Sequence, residues 1–285
     1  MRDRQFVVVT DKNGKAMPNC AVKIIGDRGA TSLVTTASGR ALVFPHALHL
    51  DGNLTATTSC GGTEASAHLD ASASDGLIAL RLDRARDLSA ARAVDLAFVL
   101  DTTGSMSEEI DAVKATIRTV ATQLAGSQTP VRIGLVEYKD RTDGQVTRVF
   151  PFSSQLDAFA TDVAGLTADG GGDTPEDMQA GLTAAIDQLN WRDDAVARIV
   201  VVIADAPPHL DYQDEKDYAD AARRAAGRGI KLFTVSASGM DYTGQIVMRQ
   251  LAQFTGASNM FVMRGGAGPQ STGGGDPKSS CGGTH

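Results

Sequence analysis

Two rhythms of apolar residues divide this chain. Up to about residue 83, short runs of β-forming residues are broken by turn residues. Phe6-Val-Val-Val-Thr10 leads into Asp11-Lys-Asn-Gly14, a hairpin turn signal. Runs at Ala21–Ile25, Ser32–Thr36, Ala41–Phe44, Asn53–Thr57 and Leu77–Leu82 follow, several separated by Gly, Asp or Ser. Closely spaced strands without helical periodicity predict a small all-β sandwich over residues 1–83. Residues 84–92 form a polar linker.

Beyond the linker, strand-like runs alternate with helical ones, which predicts an α/β domain over 93–264 with a mostly parallel sheet covered on both faces. Val94–Leu100 is its first strand. Ile110, Val113, Ile117, Val120 and Leu124 then recur at three- and four-residue spacing, one face of a helix. Val131–Tyr138 is the second strand. A turn at Asp143-Gly144 sends the third, Val146–Phe152, back antiparallel. Leu156, Phe159, Val163 and Leu166 mark a second helix, and Met178, Leu182, Ile186 and Leu189 a third. Ile199–Ala204 is the most apolar strand and is expected at the centre of the sheet. A helix over 214–227, a strand at Leu232–Ser236, a helix over 243–254 and a strand at Met260–Met263 complete the domain. Residues 265–285 are Gly- and Ser-rich and read as a flexible tail.

Charge and composition narrow the function. The net charge is −7, and the excess of acid lies in residues 91–285. No basic stripe is present, which argues against nucleic acid as a partner. No apolar run approaches the roughly 20 residues of a membrane-spanning helix, and the N-terminus lacks the apolar core of a signal peptide. The protein is thus expected to be cytoplasmic, or extracytoplasmic if a leader has been removed. Cys20, Cys60 and Cys281 lack zinc-type spacing. Cys20 and Cys60 could pair within the first domain, or all three could be free thiols.

The chemistry gathers in three segments. Asp101-x-Thr103-x-Ser105 puts a carboxylate and two hydroxyls at the end of the first strand, hard oxygen ligands for a divalent cation. Gly170-Gly-Gly-Asp-Thr174-Pro-Glu-Asp177 and Ala204-Asp205-Ala-Pro-Pro-His209 follow in order. The first segment resembles the Asp-x-Ser-x-Ser motif of von Willebrand factor A domains, with Thr103 in place of Ser. The three together resemble that family's metal-ion-dependent adhesion site, especially in bacterial members. The line Val9-Thr-Asp-Lys-Asn-Gly-Lys-Ala-Met-Pro-Asn-Cys-Ala-Val22, with Thr35–Ala41, is similar to transthyretin-like or carboxypeptidase-regulatory-like modules.

The family resemblance implies a six-stranded sheet of order 3-2-1-4-5-6 with one antiparallel edge strand. Asp101 and Asp205 would then leave the carboxyl edge where strand order reverses, the place where open α/β sheets bind ligands. Two carboxylates there repel unless protonated or bridged by a cation. The resemblance implies metal ligands at Asp101, Thr103, Ser105, Thr174 and Asp205, with Asp173 as an alternative in the second loop. Mg²⁺ suits the donor set, with Mn²⁺ or Ca²⁺ as substitutes. It also implies a protein partner presenting Asp or Glu to the metal, and so a binding or adhesion module. Each group also has a local role open to it. Ser105 with Glu108, and Thr174 with Pro175 and Asp177, fit helix caps, and His209 fits a turn as well as a ligand. No Walker, His-Glu-x-x-His or Gly-x-Ser-x-Gly motif is present, so catalysis is not expected. The alternative is a Mg²⁺-dependent phosphatase-like hydrolase with Asp101 as nucleophile. Such sites want a second aspartate two residues on, where Thr103 stands.

Overall fold

The computed structural model describes residues 4–70, 76–87, 92–125, 129–212, 217–237 and 239–262. The tail expected over 265–285 and residues 88–91 of the polar linker lie outside them. Among the described residues, seven strands build the N-terminal region. They are β1 (Gln5–Thr10), β2 (Ala21–Ile25), β3 (Ala30–Val34), β4 (Arg40–Val43), β5 (Asn53–Cys60), β6 (Thr63–Asp70) and β7 (Leu77–Arg81). One sheet runs β4-β1-β7 and the other β3-β2-β5-β6. Their inward residues, among them Val7, Val9, Val22, Ile24, Leu54 and Leu80, form one apolar core. Alternate residues of β1 and β2 are buried, the period of two that a strand with one buried face requires. A disulfide joins Cys20, ahead of β2, to Cys60 at the end of β5. β6 is missing from the strands that the apolar pattern predicts. Its inward positions Ala65 and Ala67 are small and contribute little hydrophobic signal.

The second unit is a six-stranded sheet between helices. Its strands are β8 (Val94–Asp101), β9 (Val131–Tyr138), β10 (Thr147–Ser153), β11 (Ala197–Ala204), β12 (Ile230–Ser236) and β13 (Asn259–Phe261). They lie in the order β10-β9-β8-β11-β12-β13, and only β10 is antiparallel to its neighbour. The helices are α1 (Ile110–Ala125), α2 (Leu156–Ala164), α3 (Met178–Asp187), α4 (Tyr218–Gly227) and α5 (Tyr242–Thr255). β8 and β11 are the two central strands and have apolar residues on both faces. Ala97, Val99, Val200 and Val202 pack under α3, α4 and α5. Leu96, Phe98 and Leu100 pack under α1 and α2. Asp177, Asp217 and Asp241 cap α3, α4 and α5 through their carboxylates. Among the described residues, no helix is long and apolar enough to cross a membrane.

The two units share side chains. Phe44, just past β4, is buried within the apolar cluster of the second unit and stacks on Phe254 of α5 at 5.1 Å between ring centroids. Asn19 donates its amide to Ala195 O at 2.8 Å, and its amide oxygen accepts from Arg198 Nη1 at 2.9 Å. Truncating Phe44 would open a cavity against α5. Phe44→Ala is expected to lower unfolding stability by about 3 kcal/mol. Urea denaturation of the whole chain checks this, and a loss below about 0.5 kcal/mol would place Phe44 outside the shared core.

Candidate metal centre

Strand register builds the centre. Asp101 is the last residue of β8, and Asp205 directly follows β11. These strands are parallel neighbours, so both carboxylates emerge at one sheet edge. Asp101 is fully buried, and its Oδ1 accepts from the Thr103 backbone N–H at 2.9 Å and from the Thr103 hydroxyl at 2.6 Å. Thr103 Oγ1 stands 3.2 Å from Ser105 Oγ, and Ser105 Oγ donates to Asp205 Oδ1 at 2.9 Å. The result is a relay of carboxylate, hydroxyl, hydroxyl and carboxylate across two loops one hundred residues apart in sequence. Ser105 lies in a short 3-10 turn, Gly104–Glu108, and its hydroxyl goes to Asp205.

The second loop closes over this relay. Gly170, Gly171 and Gly172 all have left-handed φ, between 73° and 86°. Backbone bonds from Gly104 N to Gly170 O (3.1 Å) and from Asp169 N to Thr102 O (3.0 Å) tie it to the first loop. A Cβ on Gly171 would fall 2.8 Å from Glu176 Oε1 and 3.0 Å from Thr103 Cβ, so the close approach needs glycine. Asp173 and Thr174 are exposed on the rim, and no described hydrogen bond joins either to Asp101 or Asp205. The helix cap in this segment is Asp177, whose Oδ1 accepts from Ala180 N at 3.0 Å.

Glu176 is the residue that the sequence reading passed over. It is 2% exposed, and its Oε1 and the Thr103 side chain both lie against Gly171. Its backbone is fixed to the third loop, with Glu176 N donating to Pro207 O at 3.0 Å and His209 N donating to Glu176 O at 3.2 Å. The one available signal was an acid two residues before the buried start of a helix. His209 lies outside the relay. Its Nε2 is 3.2 Å from Asp140 Oδ1 and its Nδ1 is 2.8 Å from Asp211 Oδ1. Its ring stacks on Tyr212 at 3.9 Å, and the Tyr212 hydroxyl also bonds Asp140. His209 therefore fastens the third loop to the turn after β9.

The centre holds uncompensated acid. Burial, with the neighbouring Asp205 charge, pushes the Asp101 carboxyl up to about 7. Burial, with the charges of Asp101, Asp140 and Asp143, pushes Glu176 up to about 8. Asp205 is raised too, by burial first and the Glu109 charge second. A cation would relieve all three. Among the described residues, no three His, Cys, Asp or Glu side chains stand close enough to cage a metal. Paired carboxylates linked by hydroxyls fit a hard cation that keeps several waters, and not a four-ligand zinc site.

A family model for the von Willebrand factor type A domain matches residues 95–266. The chain belongs to that family. The matched region contains all three loops of the centre. An ariadne-like RING finger protein of Acanthamoeba polyphaga mimivirus is 36% identical over 128 residues, 44% of this chain and 12% of that protein. The alpha-protein kinase vwkA of Dictyostelium discoideum is 34% identical over 149 residues, 51% of this chain and 23% of the kinase. The human von Willebrand factor A domain-containing protein 7 is 40% identical over 105 residues, 36% of this chain and 11% of that protein. The vWA-domain chain thus spans less than a quarter of the length of each of these relatives. A solved structure of proximal thread matrix protein 1 from the mussel byssus covers 59% of this chain and 41% of its own, at 15% identity and a TM-score of 0.46.

Proposed function

We propose that this vWA-domain protein is a cation-dependent protein-binding module of the adhesion-site type, and not an enzyme. The observation that carries the reading is the hydrogen bond from Ser105 Oγ to Asp205 Oδ1, 2.9 Å long. It joins the two loops that the adhesion-site pattern requires to meet. Asp101, Thr103, Ser105 and Asp205 would hold Mg²⁺, or Mn²⁺ or Ca²⁺ in its place, with Thr174 or Asp173 reaching in from the rim. The cation would supply a position open to an Asp or Glu of the partner. Leu210, 53% exposed and on the same loop as Asp205, would offer apolar contact to that partner. The N-terminal region, read as a transthyretin-like sandwich, would serve as spacer or second recognition surface.

The phosphatase alternative has less support. Thr103 occupies the place where that chemistry needs an acid, and its hydroxyl is bound to Asp101 itself. Affinity capture of a partner in Mg²⁺ and in EDTA tests the proposal. Binding should be lost in EDTA and lost again in Asp205→Ala, while the far-ultraviolet circular dichroism of the sheet is retained. A partner held equally in both buffers would remove the adhesion mechanism, and hydrolysis of phosphate monoesters that Asp101→Asn abolishes would favour the enzyme.

A further inference from the structure

Glu176 is a carboxylate that the adhesion-site reading does not use. Its position is tightly set. The backbone is bonded to Pro207 and His209 of the third loop, and the side chain lies with Thr103 of the first against Gly171. Gly171, at a left-handed φ of 86°, lies so close that a Cβ there would meet Glu176 Oε1 at 2.8 Å. Oε2 of Glu176 is buried and has no hydrogen-bond partner among the described residues. A buried carboxylate oxygen left without a donor is costly, and the Asp101 charge is near enough to add repulsion. A cation held by the relay would offset that cost through its charge.

We infer that Glu176 is the second-loop acid of the cation site, acting from behind Thr103, and that its charge sets the strength of cation binding against the pull on a partner's acid. This rests on the adhesion-site reading above. With Asp101 and Asp205 alone, two negative charges face a divalent cation. With Glu176 there are three, so the bound cation is overcompensated. The cation is then held more firmly, and a further carboxylate is attracted less. Glu176 is a positioning and charge-setting residue here, and it opposes an acidic partner that must bind at the same ion.

The test uses Mn²⁺ and acetate as probes on the full chain. Mn²⁺ binding is measured by calorimetry. Acetate at the bound ion is followed through paramagnetic relaxation of its methyl protons. Glu176→Gln should weaken Mn²⁺ binding by roughly tenfold and strengthen acetate binding to the loaded protein severalfold. A residue needed only for packing would move both in the same direction. Glu176→Ala is the second neutral variant, should the glutamine variant fail to fold. Glu176→Asp keeps the charge and should take up acetate like the unaltered chain. Both affinities unchanged, or both reduced together, in the neutral variants overturns the inference. So does loss of Mn²⁺ binding in Thr174→Ala with none in Glu176→Gln. If the unaltered chain takes up no Mn²⁺, the adhesion-site reading falls first and this inference with it. If it binds Mn²⁺ and Asp101→Ala does not, that reading stands whatever Glu176 does.

Discussion

In EDTA, the free energy of unfolding is expected to fall as the pH rises from about 4 to about 8. Burial raises the Asp101 carboxyl from 3.8 to about 7, and burial with neighbouring acids raises Glu176 from 4.5 to about 8. At these two groups the folded chain binds more protons across that window than the unfolded one, so their contribution falls with each rise in pH. Asp101 alone accounts for a loss on the order of 4 kcal/mol, at about 1.4 kcal/mol per pH unit. Asp95 acts the other way and at lower pH. Burial would raise it, but Arg132 and Arg192 overcome that and hold it below 3.8. Its contribution is present above its unfolded value and is lost as the pH falls. Saturating Mg²⁺ should restore stability at the alkaline end, because a cation replaces the missing protons. Urea titrations at about pH 5 and about pH 8.5, with EDTA and with Mg²⁺, make the comparison. Asp101→Asn should flatten the EDTA profile and abolish the response to Mg²⁺. An EDTA profile that rises with pH throughout this range would mean that these carboxylates carry no burial cost.

Reduction of the Cys20–Cys60 disulfide is expected to have an effect of similar size. The bond closes a loop with a sequence separation of 40 and ties β2 to the far end of its neighbour β5. Chain-entropy arguments give about 4 kcal/mol for a loop of that length. Cys20 is itself buried in the core of the N-terminal region, so the bond sits where unfolding must separate packed residues. Cys20→Ala with Cys60→Ala should lower the stability of that region by this order. The change should appear in denaturant unfolding and also as a loss on adding dithiothreitol to the unaltered chain. An unaltered chain insensitive to dithiothreitol would show that the two thiols are not joined in solution.

Much of the fold was legible because the apolar period is strong where packing is two-sided. Ile199–Ala204 lies in a central strand, and α1 buries Ile110, Val113 and Ile117 from the face that the spacing marked. The Asp143-Gly144 turn does return the chain antiparallel into β10. β6 was not legible, since alanines at its inward positions look no different from loop residues. Phe44 read as the end of a strand, and nothing in its neighbours says that it packs against a helix two hundred residues away. At the centre, Asp101, Thr103, Ser105 and Asp205 converge because strand ends fix them. The second loop was harder. Its path depends on three left-handed glycines and on bonds to the other two loops, which spacing alone does not encode. Thr174 therefore stands on the rim and Glu176 turns inward, although only two residues separate them.

The placement of β11 has a mechanical consequence. Arg198, near its beginning, grips Asn19 of the N-terminal region, and Asp205, just past its end, belongs to the site where a partner would be held. Tension between the partner and the N-terminal region would run lengthwise through this one strand. β8 and β12 flank it in parallel along nearly its whole length. A lengthwise pull therefore shears both ladders at once and does not peel bonds away one after another. The line of such tension would be the most apolar strand, held from both sides by its neighbours.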